Sequence, residues 1–230
     1  MSLFHSPSLV TSGLVLCLDA GNPKSYPGSG TTWTDLSGRG NHGTLVNGPT
    51  YSSANGGVLV FDGVDDTVAI PAILNAYPFT VIAAVSHRTD WDSSNGMDQI
   101  LNMSIAGQRV SCGITDSWQP AGAVTLMYGG SNHWTCNPPS TIGPDSWHQL
   151  AWTVIGSNNA DHKIYIDGVS QTLINNGGAH GGAGAWNLGN NNGGSEGWHG
   201  SINSVIIYNR ALSAAEVQQN FNALRGRYGI

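Results

Sequence analysis

Oxygen-bearing side chains cluster in one short segment, Asp62-Gly63-Val64-Asp65-Asp66, which holds three carboxylates within five residues. Two further oxygen-bearing residues end apolar runs elsewhere in the chain. Calcium binds carboxylate, amide and carbonyl oxygens gathered on loops. We therefore expect a calcium site, with these candidate ligands: Asp19, Asp62, Asp65, Asp66 and Asn209. The alternative is that Asp62-Gly63 serves as a turn and that Asp65 and Asp66 are simply solvated.

Tryptophans form a second group of candidate binding residues. Sugar sites combine an aromatic surface with a few placed polar groups. Five tryptophans lie in segments rich in Gly, Asn and Ser, and are the candidate sugar-binding residues: Trp91, Trp118, Trp134, Trp186 and Trp198. For each of them, packing is the alternative role. Trp147 and Trp152 fall in an apolar run and are expected in the core, and Trp33 is expected under a long loop.

Catalytic residues are scarce in this sequence. Glycoside hydrolysis uses two carboxyl groups flanking the scissile bond, and the chain has two glutamates. Glu216 follows Ser213 in a Ser-x-x-Glu capping box, and Glu196 stands alone in a Gly-rich segment. No serine-hydrolase elbow is present. We therefore expect no enzymatic activity. The eight histidines show no metal-binding spacing and are interpreted as polar loop residues.

Charge limits the partners of the chain. The net charge is −6 with only eight lysines and arginines, so no basic surface is available for nucleic acid. No apolar run approaches the roughly 18 residues of a membrane span. The N-terminus lacks the basic and apolar regions of a signal peptide, which predicts synthesis in a cytoplasm. The small number of charged residues favours protein–protein contact.

Three cysteines are present, without a Cys-x-x-Cys spacing. Cys17 lies in an apolar run and is expected to be a small buried residue. Cys112 and Cys136 flank one Gly-rich segment, so a disulfide between them and two free thiols both remain open.

Short apolar runs separated by Gly, Asn and Pro predict about a dozen β-strands. Val58–Phe61 and Thr67–Ile70 are predicted to form a hairpin around the acidic segment. Lys163–Ile166 and Val169–Leu173 are predicted to form another around Asp167-Gly168, a strong turn signal. The remaining predicted strands are Leu14–Leu18, Phe79–Val85, Gln99–Met103, Val110–Ile114, Val124–Tyr128, Trp147–Val154 and Ile202–Tyr208.

One helix is predicted, directly after the last strand. The capping box marks its start, and Val217, Phe221 and Leu224 recur at the spacing of one apolar helix face. A helix that follows only strands indicates an all-β sandwich or barrel.

Several segments together resemble laminin G-like, concanavalin A-like jelly-roll domains. The resemblance implies a fold class: an all-β, two-sheet antiparallel jelly-roll sandwich with a short C-terminal helix, over residues 13–230 after an N-terminal arm at 1–12. The family mostly binds sugars, proteins or calcium, with calcium often at a loop-rich edge. The matching segments are Leu14–Ala20, Trp33–Leu45, Phe61–Asp66, Trp147–Ala151, Lys163–Gly168 and the strand and helix after Gly200.

The two ends of the sequence also resemble small virion-associated proteins of tailed bacteriophages. The resemblance lies in Phe4–Pro7, Tyr26–Trp33 and Asn220–Gly229. It implies a non-enzymatic structural protein of the virion, a decoration or fibre component with a lectin-like surface. Other virion proteins and cell-surface glycans would then be its partners, and the resemblance also implies a homo-oligomer, a dimer or a trimer. The alternatives are a stand-alone carbohydrate-binding lectin and, more remotely, a glycan hydrolase or lyase.

Overall fold

The computed structural model describes most of the chain. The described ranges are 7–88, 97–105, 108–115, 122–128, 132–136, 142–156, 162–175, 186–190 and 196–230. Seventeen strands and one α-helix lie within them. None of the helical residues described forms a segment long and apolar enough to cross a membrane.

The strands are short and follow one another along the whole described chain. In chain order they are β1 (Leu14–Asp19), β2 (Thr32–Trp33), β3 (Gly43–Val46), β4 (Thr50–Ser52), β5 (Val58–Asp62), β6 (Thr67–Ala69), β7 (Phe79–His87), β8 (Met97–Ile105), β9 (Gln108–Thr115), β10 (Val124–Tyr128), β11 (Asn132–Cys136), β12 (Trp147–Val154), β13 (Lys163–Ile166), β14 (Val169–Ser170), β15 (Leu173–Asn175), β16 (Asn187–Leu188) and β17 (His199–Tyr208). The helix α1 spans Ala214–Leu224.

The strands form two antiparallel sheets. One has eight strands in the order β14-β13-β12-β7-β17-β5-β4, with β1 also paired to β17. The other has nine strands in the order β15-β11-β10-β9-β8-β16-β6-β3-β2. This arrangement confirms the predicted two-sheet sandwich with one C-terminal helix.

The main core lies between the two sheets. Trp33, Phe61 and Trp152 are among its largest fully buried side chains. The Trp152 indole N–H donates to the Thr125 carbonyl at 2.8 Å, which links the two sheets through the core. The expected burial of Trp33, Trp147 and Trp152 is confirmed.

A second apolar layer covers part of the outer face of the eight-stranded sheet. It contains Val217 and Leu224 of α1 together with Ile82 and Ile206 of the sheet. The predicted capping box is confirmed, because Ser213 accepts from the Glu216 amide and Glu216 accepts from the Ser213 amide. The helix is thereby fixed at its start and along its apolar face.

The predicted hairpin around the acidic segment is wrong. β5 pairs with β4 and β17 in the eight-stranded sheet, whereas β6 pairs with β3 and β16 in the other sheet. The segment Asp62–Asp66 therefore carries the chain from one sheet to the other. Apolar runs flanking a turn identify two strands, but their partners depend on packing with distant segments.

The predicted Asp167-Gly168 hairpin is confirmed, with β13 paired to β14. Asp167 and Gly168 have φ values of 51° and 78°, the left-handed conformation that a two-residue type I′ turn requires. The return strand is shorter than expected, because β15 leaves this sheet and pairs with β11 in the other one.

All three cysteines are buried free thiols, so the open question of a disulfide is resolved in favour of thiols. Cys112 lies on β9 and Cys136 on β11, with β10 between them. Two strand spacings, about 9–10 Å, exceed the Cα separation of about 7 Å that a disulfide tolerates.

Candidate functional site

Three carboxylates meet where the chain crosses between the sheets, in a segment that we call the acidic turn (Asp62–Asp66). One oxygen from each of Asp62, Asp65 and Asp66 lies within 4.8 Å of the others. The backbone of the turn is held by its own side chains. The Asp62 N–H donates to Asp66 Oδ2 at 3.0 Å, and the Val64 N–H donates to Asp62 Oδ1 at 2.9 Å.

The acidic turn concentrates negative charge. Burial raises the pKa of Asp66, and the neighbouring carboxylates of Asp62 and Asp65 raise it further, while the hydrogen bond from the Asp62 amide acts in the opposite direction. A cation beside these groups would relieve this repulsion. Carboxylate oxygens are also the ligands that calcium prefers. The chemistry of the acidic turn therefore fits a hard cation.

Asp19 lies away from the acidic turn, which corrects its assignment as a fourth ligand. Asp19 pairs with Ser204 on β17, whereas Asp62 pairs with His199 on the same strand. Five residues of strand separate the two positions, about 16 Å. The Asp19 carboxylate instead accepts from Arg227 Nη1 at 2.6 Å.

Asn209 is a second correction to the predicted ligand set. It follows Tyr208 at the far end of β17, and its N–H donates to the Gly13 carbonyl at 2.9 Å. The two ends of a ten-residue strand are about 30 Å apart. Both corrected residues end strands, as predicted, but at other positions in the sheet.

A cleft of about 360 Å³ lies against the acidic turn, and we call it the acidic-turn cleft. Its wall includes Asn47, which also donates from Nδ2 to the Asp65 carbonyl at 3.1 Å. The Arg88 N–H donates to the His199 carbonyl at 2.9 Å, which places Arg88 beside β17. Six polar side chains line the cleft: Asn47, Thr50, Asp62, Asp66, Arg88 and His199.

Two of the tryptophans expected to be exposed are core residues instead. Trp186 is 8% exposed and Trp198 is 0% exposed, and both pack between the sheets. The backbone N–H of Trp198 donates to the Gly189 carbonyl at 2.8 Å. The Trp198 ring contacts the His87 ring edge-on, with centroids 5.1 Å apart. The Gly- and Asn-rich composition around them indicated a loop, but the described parts of that segment turn inward and fill the sandwich.

The other three predicted tryptophans do not form a described platform. Trp134 lies on β11, opposite Leu126 of β10, rather than in a loop. Trp91 and Trp118 fall outside the described residues.

A buried histidine–carboxylate pair was missed by the sequence analysis. His87 Nε2 lies 2.5 Å from Asp98 Oδ2, and His87 is fully buried at the end of β7. The interpretation of all histidines as polar loop residues is therefore wrong for His87. The apolar run that starts at Phe79 continues to this position, and that continuity was the available signal.

Glu196 is not isolated, in contrast to its interpretation from sequence. Its Oε2 accepts from Gln99 Nε2 and from Arg109 Nη2. Arg109 Nε in turn donates to Asn102 Oδ1 at 3.3 Å and to Ser111 Oγ at 3.2 Å. These partners lie more than 80 residues away, so no local pattern marks them.

The sequence matches the model of one known protein family. Residues 62–218 match the family model described as the Concanavalin A-like lectin/glucanases superfamily. No curated protein sequence gives a significant match to the chain.

Similar solved structures come from an arabinanase, a sialidase and a mosquitocidal protein. Domain 4 of AbnA, a GH43 extracellular arabinanase from Geobacillus stearothermophilus solved with arabinotriose, has a TM-score of 0.68 at 18% identity, covering 91% of this chain and 98% of that one. Trypanosoma rangeli sialidase has a TM-score of 0.64 at 16% identity, and the match covers 94% of this chain and 33% of the sialidase. The binding domain of Paraclostridial Mosquitocidal Protein 1 has a TM-score of 0.61 at 17% identity, and the match covers 92% of this chain and 52% of that one. This chain thus spans about a third of the sialidase.

Proposed function

Because the chain belongs to the concanavalin A-like lectin/glucanases superfamily, we propose that it is a non-enzymatic glycan-binding protein of a bacteriophage virion. The acidic-turn cleft is the observation that carries the binding function. It places six polar side chains around about 360 Å³ of space. A similar domain was solved with arabinotriose, which supports the use of this fold for sugars.

The lining of the cleft suits sugar hydroxyl groups. A hydroxyl both donates and accepts hydrogen bonds. The Arg88 guanidinium donates only, the Asp62 carboxylate accepts only, and the Thr50 hydroxyl does both. Together these three kinds of group can satisfy both the donor and the acceptor of a sugar hydroxyl. Specificity would then come from placed polar groups, as in other small-molecule sites.

Calcium is part of this proposal, with Asp62, Asp65 and Asp66 as the residues that would hold it. Bound calcium would offset two of the three negative charges and stiffen the acidic turn. The turn forms one wall of the acidic-turn cleft, so sugar binding is expected to weaken when calcium is removed.

The state of both glutamates supports a role without catalysis. The hydrogen bond from Arg210 to Glu216, with the capping bond from Ser213, lowers the pKa of Glu216 to about 2. A general acid near neutral pH needs a pKa close to the working pH. Glu196 is engaged by Arg109 and Gln99.

A glycan array with the purified protein tests the binding function. We expect a saturable hit in calcium that weakens in EDTA. Arg88→Ala should weaken the hit at least tenfold, because it removes the only arginine that lines the described cleft. Arg39→Ala is the matched control, since Arg39 is exposed outside the cleft. A folded protein that binds no glycan would contradict the proposal, and release of reducing sugar from a bound polysaccharide would contradict its non-enzymatic part.

The virion role is supported by the resemblance of the two ends of the sequence to phage virion proteins. It predicts that the protein copurifies with phage particles. It also predicts that antibodies raised against the protein label the particle surface. It also predicts a dimer or trimer by light scattering. Glycan binding by a protein absent from particles would instead identify a stand-alone lectin.

A further inference from the structure

A second cleft, of about 350 Å³, lies on the outer face of the eight-stranded sheet, and we call it the tryptophan cleft after Trp147. Arg88 and Val60 line both this cleft and the acidic-turn cleft. The two clefts therefore adjoin, and we call them together the groove.

The floor of the tryptophan cleft is one row of residues across four strands. Val60 on β5 pairs with Ser201 on β17, Ser201 pairs with Ser86 on β7, and Ser86 pairs with Trp147 on β12. Three strand spacings give a row of about 14 Å. With the acidic-turn cleft at one end, the groove is longer than a single sugar ring.

Trp147 is mostly buried and contributes a small fixed part of its side chain to the cleft rather than an open aromatic face. Its ring stacks on Tyr228, with centroids 5.4 Å apart and planes 16° apart. The Tyr228 hydroxyl donates to Asn203 Oδ1 at 2.8 Å. Trp147 retains 9% exposure, so its free edge lines the cleft while its body is fixed. A fixed aromatic group loses little conformational entropy on binding.

The rims of the tryptophan cleft carry polar groups on both sides. Arg88, Asn55 and Asp145 are exposed and line the cleft. Asp145 is positioned by its backbone, since its N–H donates to the His87 carbonyl at 2.6 Å. With the serine hydroxyls of the floor, this lining offers both donors and acceptors, as a polyhydroxylated ligand requires.

The charge of the whole groove selects against acidic ligands. Calcium held by Asp62, Asp65 and Asp66 leaves one of their negative charges uncompensated, and Asp145 offsets Arg88, so the groove stays net negative even with calcium bound. A carboxylated or sulfated sugar would meet this excess of negative charge at close range.

We propose that the groove binds a linear chain of at least two neutral sugar units. One unit occupies the acidic-turn cleft, and a later unit rests against Trp147 and the serine floor. The inference rests on the proposed glycan-binding function and adds the class of ligand, a neutral chain rather than a single sugar.

The test is calorimetric titration of the full chain with a neutral glycan identified on the array, as its mono-, di- and trisaccharide. We expect at least a tenfold gain in affinity between the monosaccharide and the longer chains. Ser86→Leu fills the floor of the tryptophan cleft, so it should abolish this gain and leave monosaccharide binding unchanged. Trp147→Ala should also reduce the gain in affinity with chain length. If Trp147→Ala does not fold, the result with Ser86→Leu tests the inference by itself.

Ser170→Leu is the matched control, because Ser170 is exposed on β14 of the same sheet and does not line the groove. It should keep the full gain. Equal affinity for all chain lengths, an undiminished gain in Ser86→Leu, or tighter binding of a uronic-acid chain would overturn the inference. Absence of binding at every chain length would instead contradict the proposed function itself.

Discussion

The carboxylates of Asp62, Asp65 and Asp66 come together because a short turn has to cross between two sheets. One oxygen from each lies within 4.8 Å of the others, and carboxylate oxygens of Asp62 and Asp66 accept hydrogen bonds from the turn's own amides. Like charges at this distance oppose ionisation of the most buried member. This repulsion destabilises the turn by itself and favours the binding of a cation.

Asp65→Asn should reduce the response of the protein to calcium. We expect calcium to raise the Tm of the wild-type protein by several degrees, through preferential binding to the folded state. The variant should lose most of this increase, measured by differential scanning fluorimetry with calcium and with EDTA. Asp19→Asn is the control: it breaks the ion pair with Arg227 but should keep the calcium increase. Equal increases in wild type and Asp65→Asn would contradict the site.

Asp66→Asn should stabilise the protein at neutral pH when calcium is absent. The pKa of Asp66 is raised in the folded state, so its ionised form opposes folding above that pKa, and this cost disappears as the pH falls below the ordinary value of 3.8. The free energy of unfolding in EDTA should therefore exceed that of wild type at pH 7 and match it near pH 3. A gain that is independent of pH would point to packing instead.

At the scale of elements, α1 depends on a charged network at its first turn. Glu216 accepts from the Ser213 amide at 2.9 Å and from Arg210 at 2.6 Å. These bonds hold the end of β17 to the start of α1. The buried face of the helix then packs on the eight-stranded sheet.

Glu216→Gln should lower the free energy of unfolding by roughly 0.5 kcal/mol at neutral pH, because Gln can keep the capping hydrogen bond but loses the charged pair with the part-exposed Arg210. The pKa of Glu216 falls from 4.5 to about 2 on folding, so its charge stabilises the fold above about pH 4.5, and this contribution is lost as the pH falls towards 2. Denaturant titrations at pH 7, 4 and 2.5 should show the difference from wild type shrinking. Ser213→Ala, which leaves the Arg210 pair intact, should show a loss that depends less on pH.

Elements defined by local chemistry were predictable from sequence. The capping box and the Asp167-Gly168 turn are each set by residues a few positions apart. The hairpin around the acidic turn was predicted wrongly, since the same apolar runs could pair with each other or with distant strands. Trp198 was misplaced for a similar reason: local composition reports a break in regular structure but not the direction in which the side chain packs.

The candidate site was predictable only in part. The three clustered aspartates were recognised because they are adjacent in sequence. The groove was not, because Val60, Ser86, Trp147 and Ser201 meet only through the register of four strands that are distant in the chain. At each of these positions the local sequence predicts only a β-strand.

For the molecule as a whole, the thiols report global unfolding. Burial raises the pKa of Cys17 and Cys136 to about 12, and raises that of Cys112 as well. The thiolate is the reactive form. We expect no rapid reaction of the folded protein with a thiol reagent at pH 8, and three reactive thiols after unfolding in guanidinium without reductant. A single reactive thiol would reveal a disulfide.

The pairing of β1 with β17 has a consequence for synthesis on the ribosome. Leu14 lies opposite Tyr208, so the first strand must wait for nearly the whole chain before its partner emerges. At about 5–20 residues per second, this delay is roughly 10–40 s. During it, β7 and β5 also lack their neighbour β17, and their unpaired edges can associate with other nascent chains. Slow emergence of the last strand makes the interval after translation of β7 the period in which this protein most depends on chaperones.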